Sequence, residues 1–247
     1  MRDGIQTRAA RHQRKNIGNL RGSVAAVLRC GVAWIWVLAL VGVVMPVRAA
    51  EGVAGDGGGT GRTLLVLGDS LAAGYGVEES QAFPALLRGK IEAAGLGFEV
   101  INAGVSGDTT AGGLRRLNWL LRRPVDVVLV ELGGNDGLRG LPPDATRSNL
   151  LAIVDGVRRK NPKARVVLAG MQMPPNLGED YGRRFAGIFP EVAREKGLVL
   201  VPHLLEGVGG RPELNLPDQI HPTPAGHAMV ASNVWVVLKP VLEAPTP

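Results

Sequence analysis

Thr63-Leu64-Leu65-Val66-Leu67-Gly68-Asp69-Ser70-Leu71 is the stretch from which the fold can be read. Leu64 to Leu67 are apolar without alternation, so a strand built from them has to be covered on both faces. Gly68-Asp69 breaks the run with turn residues, and Ser70 falls where the chain leaves a strand for a helix. Serine caps helices well at such a turn. The same place also offers a hydroxyl from the C-terminal edge of a sheet, and the two roles are compatible.

Outward from this stretch, short apolar runs bounded by turn residues alternate with helical patterns. Strands are expected at 63–67, 98–102, 125–131, 165–170 and 198–202. Helices are expected near 80–95, 110–122, 144–160, 183–196 and from 224 to about 238. Val127-Val128-Leu129-Val130 and Val166-Val167-Leu168 again lack a polar face. Alternating strands and helices of this kind predict an α/β fold, a mostly parallel sheet in a three-layer α/β/α sandwich. Ligands of such sheets sit beyond the C-terminal strand ends. Ser70, Gly107, Asn135 and the loop from Met171 each follow a strand, so topology alone gathers them on one edge.

The chemistry follows from what lies on that edge. A serine hydroxyl needs a base to become a nucleophile, and the base needs an acid to orient it. Asp218-Gln219-Ile220-His221 puts a carboxylate and an imidazole on one short loop. Asp218 can accept from Nδ1–H and leave Nε2 for the serine. His203 and His227 are the other histidines after residue 49. His203 reads as a satisfied core residue and His227 as a surface or capping residue on a helix. Ser106, in Val105-Ser106-Gly107-Asp108, is a second candidate nucleophile, although its loop reads better as a cradle for an anion. Gly68-Asp69-Ser70-Leu71-Ala72 is not a Gly-x-Ser-x-Gly elbow. The Gly107 N–H, the Asn135 amide and the Ser70 N–H form a candidate oxyanion hole. Asp69, Asp108 and Asp136 have no histidine cluster around them and read as loop-fixing acceptors. No metal is expected.

The formal charge of +6 does not belong to the domain. Of 28 basic and 22 acidic residues, eight and one lie in residues 1–49, which leaves 20 against 21 and a net of −1. That balance gives no electrostatic case for nucleic acid. Residues 1–49 have a basic n-region, an apolar stretch over 30–47 interrupted by Pro46, and small residues at Ala49-Ala50. This is a secretory signal pattern and predicts a periplasmic or secreted protein; an uncleaved N-terminal membrane anchor is the alternative. N-terminal sequencing of protein from the native envelope should find Ala50 or Glu51 first, and a full-length chain in the membrane fraction would establish the anchor. Cys30 is the sole cysteine, so a cleaved chain has no thiol chemistry. Residues 50–61 read as a glycine-rich linker, 62–240 as one domain, and 241–247 as a disordered tail.

Gly-Asp-Ser-Leu, then Gly107, then Gly133-Gly134-Asn135-Asp136, then Asp218-Gln219-Ile220-His221-Pro222 resemble, in this order, the four blocks of the SGNH or GDSL hydrolases. Segments 68–76, 102–109 and 130–140, with Tyr181-Gly182-Arg183-Arg184, are similar to the bacterial periplasmic branch of thioesterase I, arylesterase and lysophospholipase L1 activities. The resemblance spans 62–240. It implies a flavodoxin-like five-stranded parallel sheet, no cofactor, Ser70 as nucleophile with Asp218 and His221, and an oxyanion hole of Ser70, Gly107 and Asn135. It also implies a small-molecule acyl ester or thioester substrate, and transient lipid contact where that substrate is a lysophospholipid. Apolar residues in the loops after the third and fourth strands, Leu138, Leu141, Met171, Met173 and Pro174, are expected to line the acyl pocket. Leu177-Gly178-Glu179-Asp180 departs from the family pattern as extra sequence beside that pocket. Two rival functions are a carbohydrate O-deacetylase on the same fold and a non-catalytic secreted binding module.

Overall fold

The computed structural model describes residues 61–245. The expected leader, linker and cleavage site at 1–60 therefore lie outside the described residues. Five parallel strands, β1 (Arg62–Gly68), β2 (Phe98–Gly104), β3 (Val127–Glu131), β4 (Arg165–Ala169) and β5 (Val199–Val201), form one sheet in the order β2-β1-β3-β4-β5. The apolar runs of the central strands are buried: Leu64 to Leu67 and Val127 to Leu132 are at most 1% exposed. Their unbroken apolar runs are explained by helices on both faces.

Among the described residues seven α-helices connect or follow the strands: α1 (Ser70–Ala73), α2 (Phe83–Ala93), α3 (Thr110–Leu120), α4 (Gly134–Leu138), α5 (Pro143–Lys160), α6 (Glu179–Lys196) and α7 (Pro224–Glu243). α2 packs with α7, and α5 packs with both α3 and α6. The three layers and the parallel sheet agree with the sequence expectation. The chain runs from β1 outward to β2 and then crosses to β3 on the other side of β1. The strand order therefore reverses between β1 and β3, where open α/β sheets leave a crevice at their C-terminal edge. Ser70 follows β1 and Asn135 follows β3, so they flank that crevice.

Three expectations are corrected. α1 and α4 are single short turns of helix with no apolar period of their own, and periodicity cannot show them. α6 begins at Glu179, four residues before the expected start at 183. The extra Glu179-Asp180 forms its first turn, where carboxylates favour the positive end of the helix dipole. α7 continues to Glu243 and absorbs the start of the expected tail: Leu242 is fully buried and its carbonyl accepts from Arg62 at 3.1 Å. Pro240 invites an early stop, because it cannot donate to the carbonyl of Val236. Val236 is 75% exposed, so water can satisfy that carbonyl and the helix carries on.

Candidate active site

α1 is a single turn started by Asp69, whose carboxylate accepts from the Leu71 N–H at 3.0 Å. This cap puts Ser70 at the first helical position, with its hydroxyl facing the loop before α7. His221 Nε2 lies 2.9 Å from Ser70 Oγ, and His221 Nδ1 lies 2.7 Å from Asp218 Oδ2. The second oxygen of Asp218 accepts from the Ile220 and His221 N–H groups at 2.9 and 3.0 Å. Burial acts to raise the Asp218 pKa, but the His221 N–H and ring together with the Ile220 N–H outweigh it and hold the carboxyl at about 2. Asp218 is thus ionised at any pH near neutrality, as a group that stabilises an imidazolium must be. Gln219, between the pair, has φ 58°. A non-glycine residue in this region is uncommon, and strain of this kind gathers at functional loops. The Tyr75 ring covers the imidazole at 4.4 Å between centroids.

The other two donors stand on adjacent loops. Val105 to Asp108 form a turn closed by the Asp108 N–H on the Val105 carbonyl at 3.0 Å, with Gly107 at φ 78°. The third position of such a turn needs positive φ, which glycine adopts without penalty. Among the described residues neither the Gly107 N–H nor the Ser70 N–H has a hydrogen-bond partner, so both can donate to an oxyanion. Asn135 spends one amide N–H on Asp69 Oδ2 at 3.1 Å and keeps the other. Arg139 donates to the Gly107 carbonyl at 2.9 Å and joins the two donor loops.

The three aspartates are acceptors within the loops, as expected. Asp69 orients Asn135. Asp108 accepts from Arg116 Nε at 2.7 Å, and the same guanidinium donates to the Ala103 and Gly68 carbonyls at 2.7 and 2.9 Å. Asp136 is buried and accepts from the Thr110 N–H and hydroxyl at 2.8 and 2.5 Å. Arg116 escaped the sequence reading. Its spacing from Asp108 would put the two on one side of α3 only if the loop before that helix folds back. Among the described residues no group of three or more His, Cys, Asp or Glu side chains could hold a metal ion.

Ser106 is exposed, and the hydroxyl that faces His221 is that of Ser70. Of the acyl-pocket candidates, Leu138 and Pro174 are exposed, whereas Leu141 and Met173 are partly buried. Met171 is corrected: two residues past the end of β4, it is 4% exposed and packs into the hydrophobic core. Met173 packs its sulfur against Gly137, where a Cβ would collide with it, so it also braces the helix that carries Asn135. Tyr181, Phe185 and Phe189 line α6 at four-residue spacing, with centroids 5.9 and 5.8 Å apart. Contacts of this kind contribute roughly 0.5–1.5 kcal/mol each. Phe189 lies under Gly133, and the Tyr181 hydroxyl donates to the Leu141 carbonyl at 2.9 Å, so this ladder supports the Asn135 loop.

Two histidine readings are revised. His203 pairs with Glu206 at 3.0 Å in a surface loop and is not a core residue. His227 is not at the surface: it is 1% exposed, and its Nδ1 accepts the first N–H of α2, from Phe83, at 3.3 Å. Burial, and secondarily the charge of His221, lowers its pKa to about 4. The unfolded chain binds this proton near the ordinary value of 6.5. The unfolded state therefore binds more protons across that window, and the stability that His227 contributes at neutral pH is lost as pH falls from about 6.5 to 4. The loss should be on the order of 1–3 kcal/mol, and denaturant melts of wild type and His227→Asn should converge over that range. Parallel pH profiles would show that His227 titrates alike in both states.

Residues 66–229 match the GDSL-like Lipase/Acylhydrolase family. The chain is 44% identical over 183 residues to the esterase TesA of Pseudomonas aeruginosa, covering 73% of this chain and 90% of that one. It is 40% identical to thioesterase 1/protease 1/lysophospholipase L1 of Escherichia coli, over 73% of this chain and 85% of that one. A crystal structure of TesA superposes with a TM-score of 0.71 at 43% identity, covering 73% of this chain and 99% of the other.

Proposed function

The chain belongs to the GDSL-like Lipase/Acylhydrolase family, and from that premise we propose that it hydrolyses carboxylic esters and thioesters of apolar acyl chains through an acyl-enzyme on Ser70. The observation that carries this reading is the continuous relay from Ser70 Oγ through His221 to Asp218, at 2.9 and 2.7 Å. The first distance allows direct proton transfer from Oγ to Nε2, and the second lets ionised Asp218 hold the Nδ1–H.

The geometry defines each step. His221 Nε2 takes the Ser70 proton as Oγ attacks the carbonyl carbon, and Asp218 stabilises the imidazolium through Nδ1–H. The negative oxygen of the tetrahedral intermediate accepts from the Ser70 N–H, the Gly107 N–H and the free N–H of Asn135. Collapse breaks the bond to the alcohol or thiol, which leaves with the proton from His221. Water, deprotonated by the same Nε2, then attacks the acyl carbon and releases the carboxylic acid with Ser70 restored. Leu138, Pro174 and the partly buried Leu141 and Met173 are the apolar surface that the acyl chain would cover. The signal-like pattern of residues 1–49 supports action outside the cytoplasm, where lysophospholipid substrates would bring the enzyme into transient contact with lipid.

A panel of nitrophenyl esters and acyl-thioesters of graded length tests the reading, with a fluorophosphonate probe reporting on Ser70. Turnover of long and short acyl esters with labelling of Ser70 is expected. Turnover confined to acetylated sugars would move the chain to the deacetylase reading, and neither turnover nor labelling would leave only a binding module. Asn135→Ala should lower kcat by about 10² to 10³ with KM little changed, because its second N–H matters most once the oxyanion forms. An effect confined to KM would instead make Asn135 a ground-state binding group.

A further inference from the structure

Glu131 ends β3, a strand whose other residues are Val127, Val128, Leu129 and Val130. It is 0% exposed. Its Oε2 accepts the Asp69 N–H at 3.1 Å. Its Oε1 has no partner among the described residues so long as the group is ionised. The nearby guanidinium, Arg116, is committed to Asp108 and to the Ala103 and Gly68 carbonyls. Asp69, whose N–H the Glu131 Oε2 accepts, carries a second buried carboxyl, itself 2% exposed. Gly68 makes the room: a Cβ there would collide with Glu131 Oε2.

Two neighbouring buried carboxyls do not both ionise, because each desolvates the other and their charges repel. Both Asp69 oxygens are taken by N–H donors, Oδ1 by Leu71 and Oδ2 by Asn135, which favours charge on Asp69. Glu131 is the more deeply enclosed, and burial followed by the Asp69 charge pushes it well above the usual carboxyl range. Burial also raises Asp69, to about 6, against the Leu71 and Asn135 donors and the charge of His221, with Asp108 adding to the rise. The place of the proton matters to the chemistry. A protonated Asp69 could turn its O–H toward Asn135, and the amide would then flip and aim its oxygen at the developing oxyanion.

We propose that Glu131 keeps a proton and donates it to the Asp69 carboxylate, and that this buried hydrogen bond makes Glu131 a positioning residue that aims the Asn135 amide at the oxyanion. The proposal rests on the acyl-transfer reading of the Ser70 site. Glutamine has the shape of a protonated glutamate and can both donate to Asp69 and accept from its N–H, whereas alanine can do neither.

Glu131→Gln and Glu131→Ala, made in the full chain, separate the outcomes. Glu131→Gln should keep kcat within about threefold of wild type, since the exchanged hydrogen bonds are of similar strength. Glu131→Ala should lower kcat by about tenfold or more at unchanged KM, short of the roughly 10² to 10³ lost when the donor itself is removed. Infrared spectra at neutral pH should show a protonated-carboxyl C=O band that shifts in D₂O and is absent from Glu131→Gln. Wild-type kcat in Glu131→Ala would overturn the proposal, as would a loss in Glu131→Gln equal to that in Glu131→Ala. A band missing from wild type, or one that persists in Glu131→Gln, would overturn the placement of the proton. If Glu131→Ala does not fold, Glu131→Gln and the infrared band still decide. A wild-type protein without ester turnover would remove the acyl-transfer reading, while the band would continue to report on Glu131.

Discussion

Ser70→Ala is expected to lower kcat by about 10⁴ to 10⁶ and to leave the melting temperature close to wild type. Catalysis suffers because Oγ is the atom that forms the acyl-enzyme, and among the described residues His221 Nε2 has no other hydroxyl at hydrogen-bond distance. Stability is spared because Asp69, not Ser70, caps α1, and because alanine is a better helix former at the first position of that turn. The variant keeps the Ser70 backbone N–H in the oxyanion hole, so a residual rate above water should survive. Steady-state hydrolysis of a nitrophenyl ester with matched thermal melts makes the measurement, and fluorophosphonate labelling should vanish in parallel. If Ser70→Ala keeps more than a tenth of wild-type activity while Ser106→Ala does not, the nucleophile is Ser106.

The elements read correctly from the sequence are those whose chemistry is local. The apolar runs before Gly68 and Glu131 mark strands covered on both faces, and Asp218 with His221 occupies one loop whose spacing is its geometry. What could not be read depends on contacts across the chain. Asn135 is visible as a donor, but its anchor on Asp69 becomes visible only when β1 and β3 lie side by side. Glu131 looks like the polar end of a strand, and its burial follows from the same pairing, which sets Gly68 opposite it. Met171 and Met173 sit two residues apart in a loop, yet one enters the core and the other braces Gly137, a division that loop sequence does not encode. His227 has the composition of a surface helix residue, and only the approach of α2 to the start of α7 turns it into a buried acceptor for Phe83. Pro240 shows the converse error, where a strong local stop signal is overruled by the burial of Val241 and Leu242.

Asp218→Asn should lower kcat by about 10⁴, nearly as much as His221→Ala, although it changes one atom. In wild type, one Asp218 oxygen accepts the Ile220 and His221 N–H groups and the other faces His221 Nδ1. The backbone N–H groups need an oxygen, so the asparagine amide must turn its NH₂ toward Nδ1. Nδ1 then becomes an acceptor, the ring proton moves to Nε2, and Nε2 can no longer take the proton of Ser70. The backbone turn survives, including Gln219 at φ 58°, so the loss should fall on kcat with little change in folding stability. Because the Asp218 pKa lies at about 2 in the folded enzyme, its own protonation is not the source of an activity loss on mild acidification. The variant should be as slow at pH 8 as at pH 6, since raising pH does not restore the tautomer. Full recovery at the higher pH would show that Asp218 serves only to tune the charge on His221 and does not select which ring nitrogen faces Ser70.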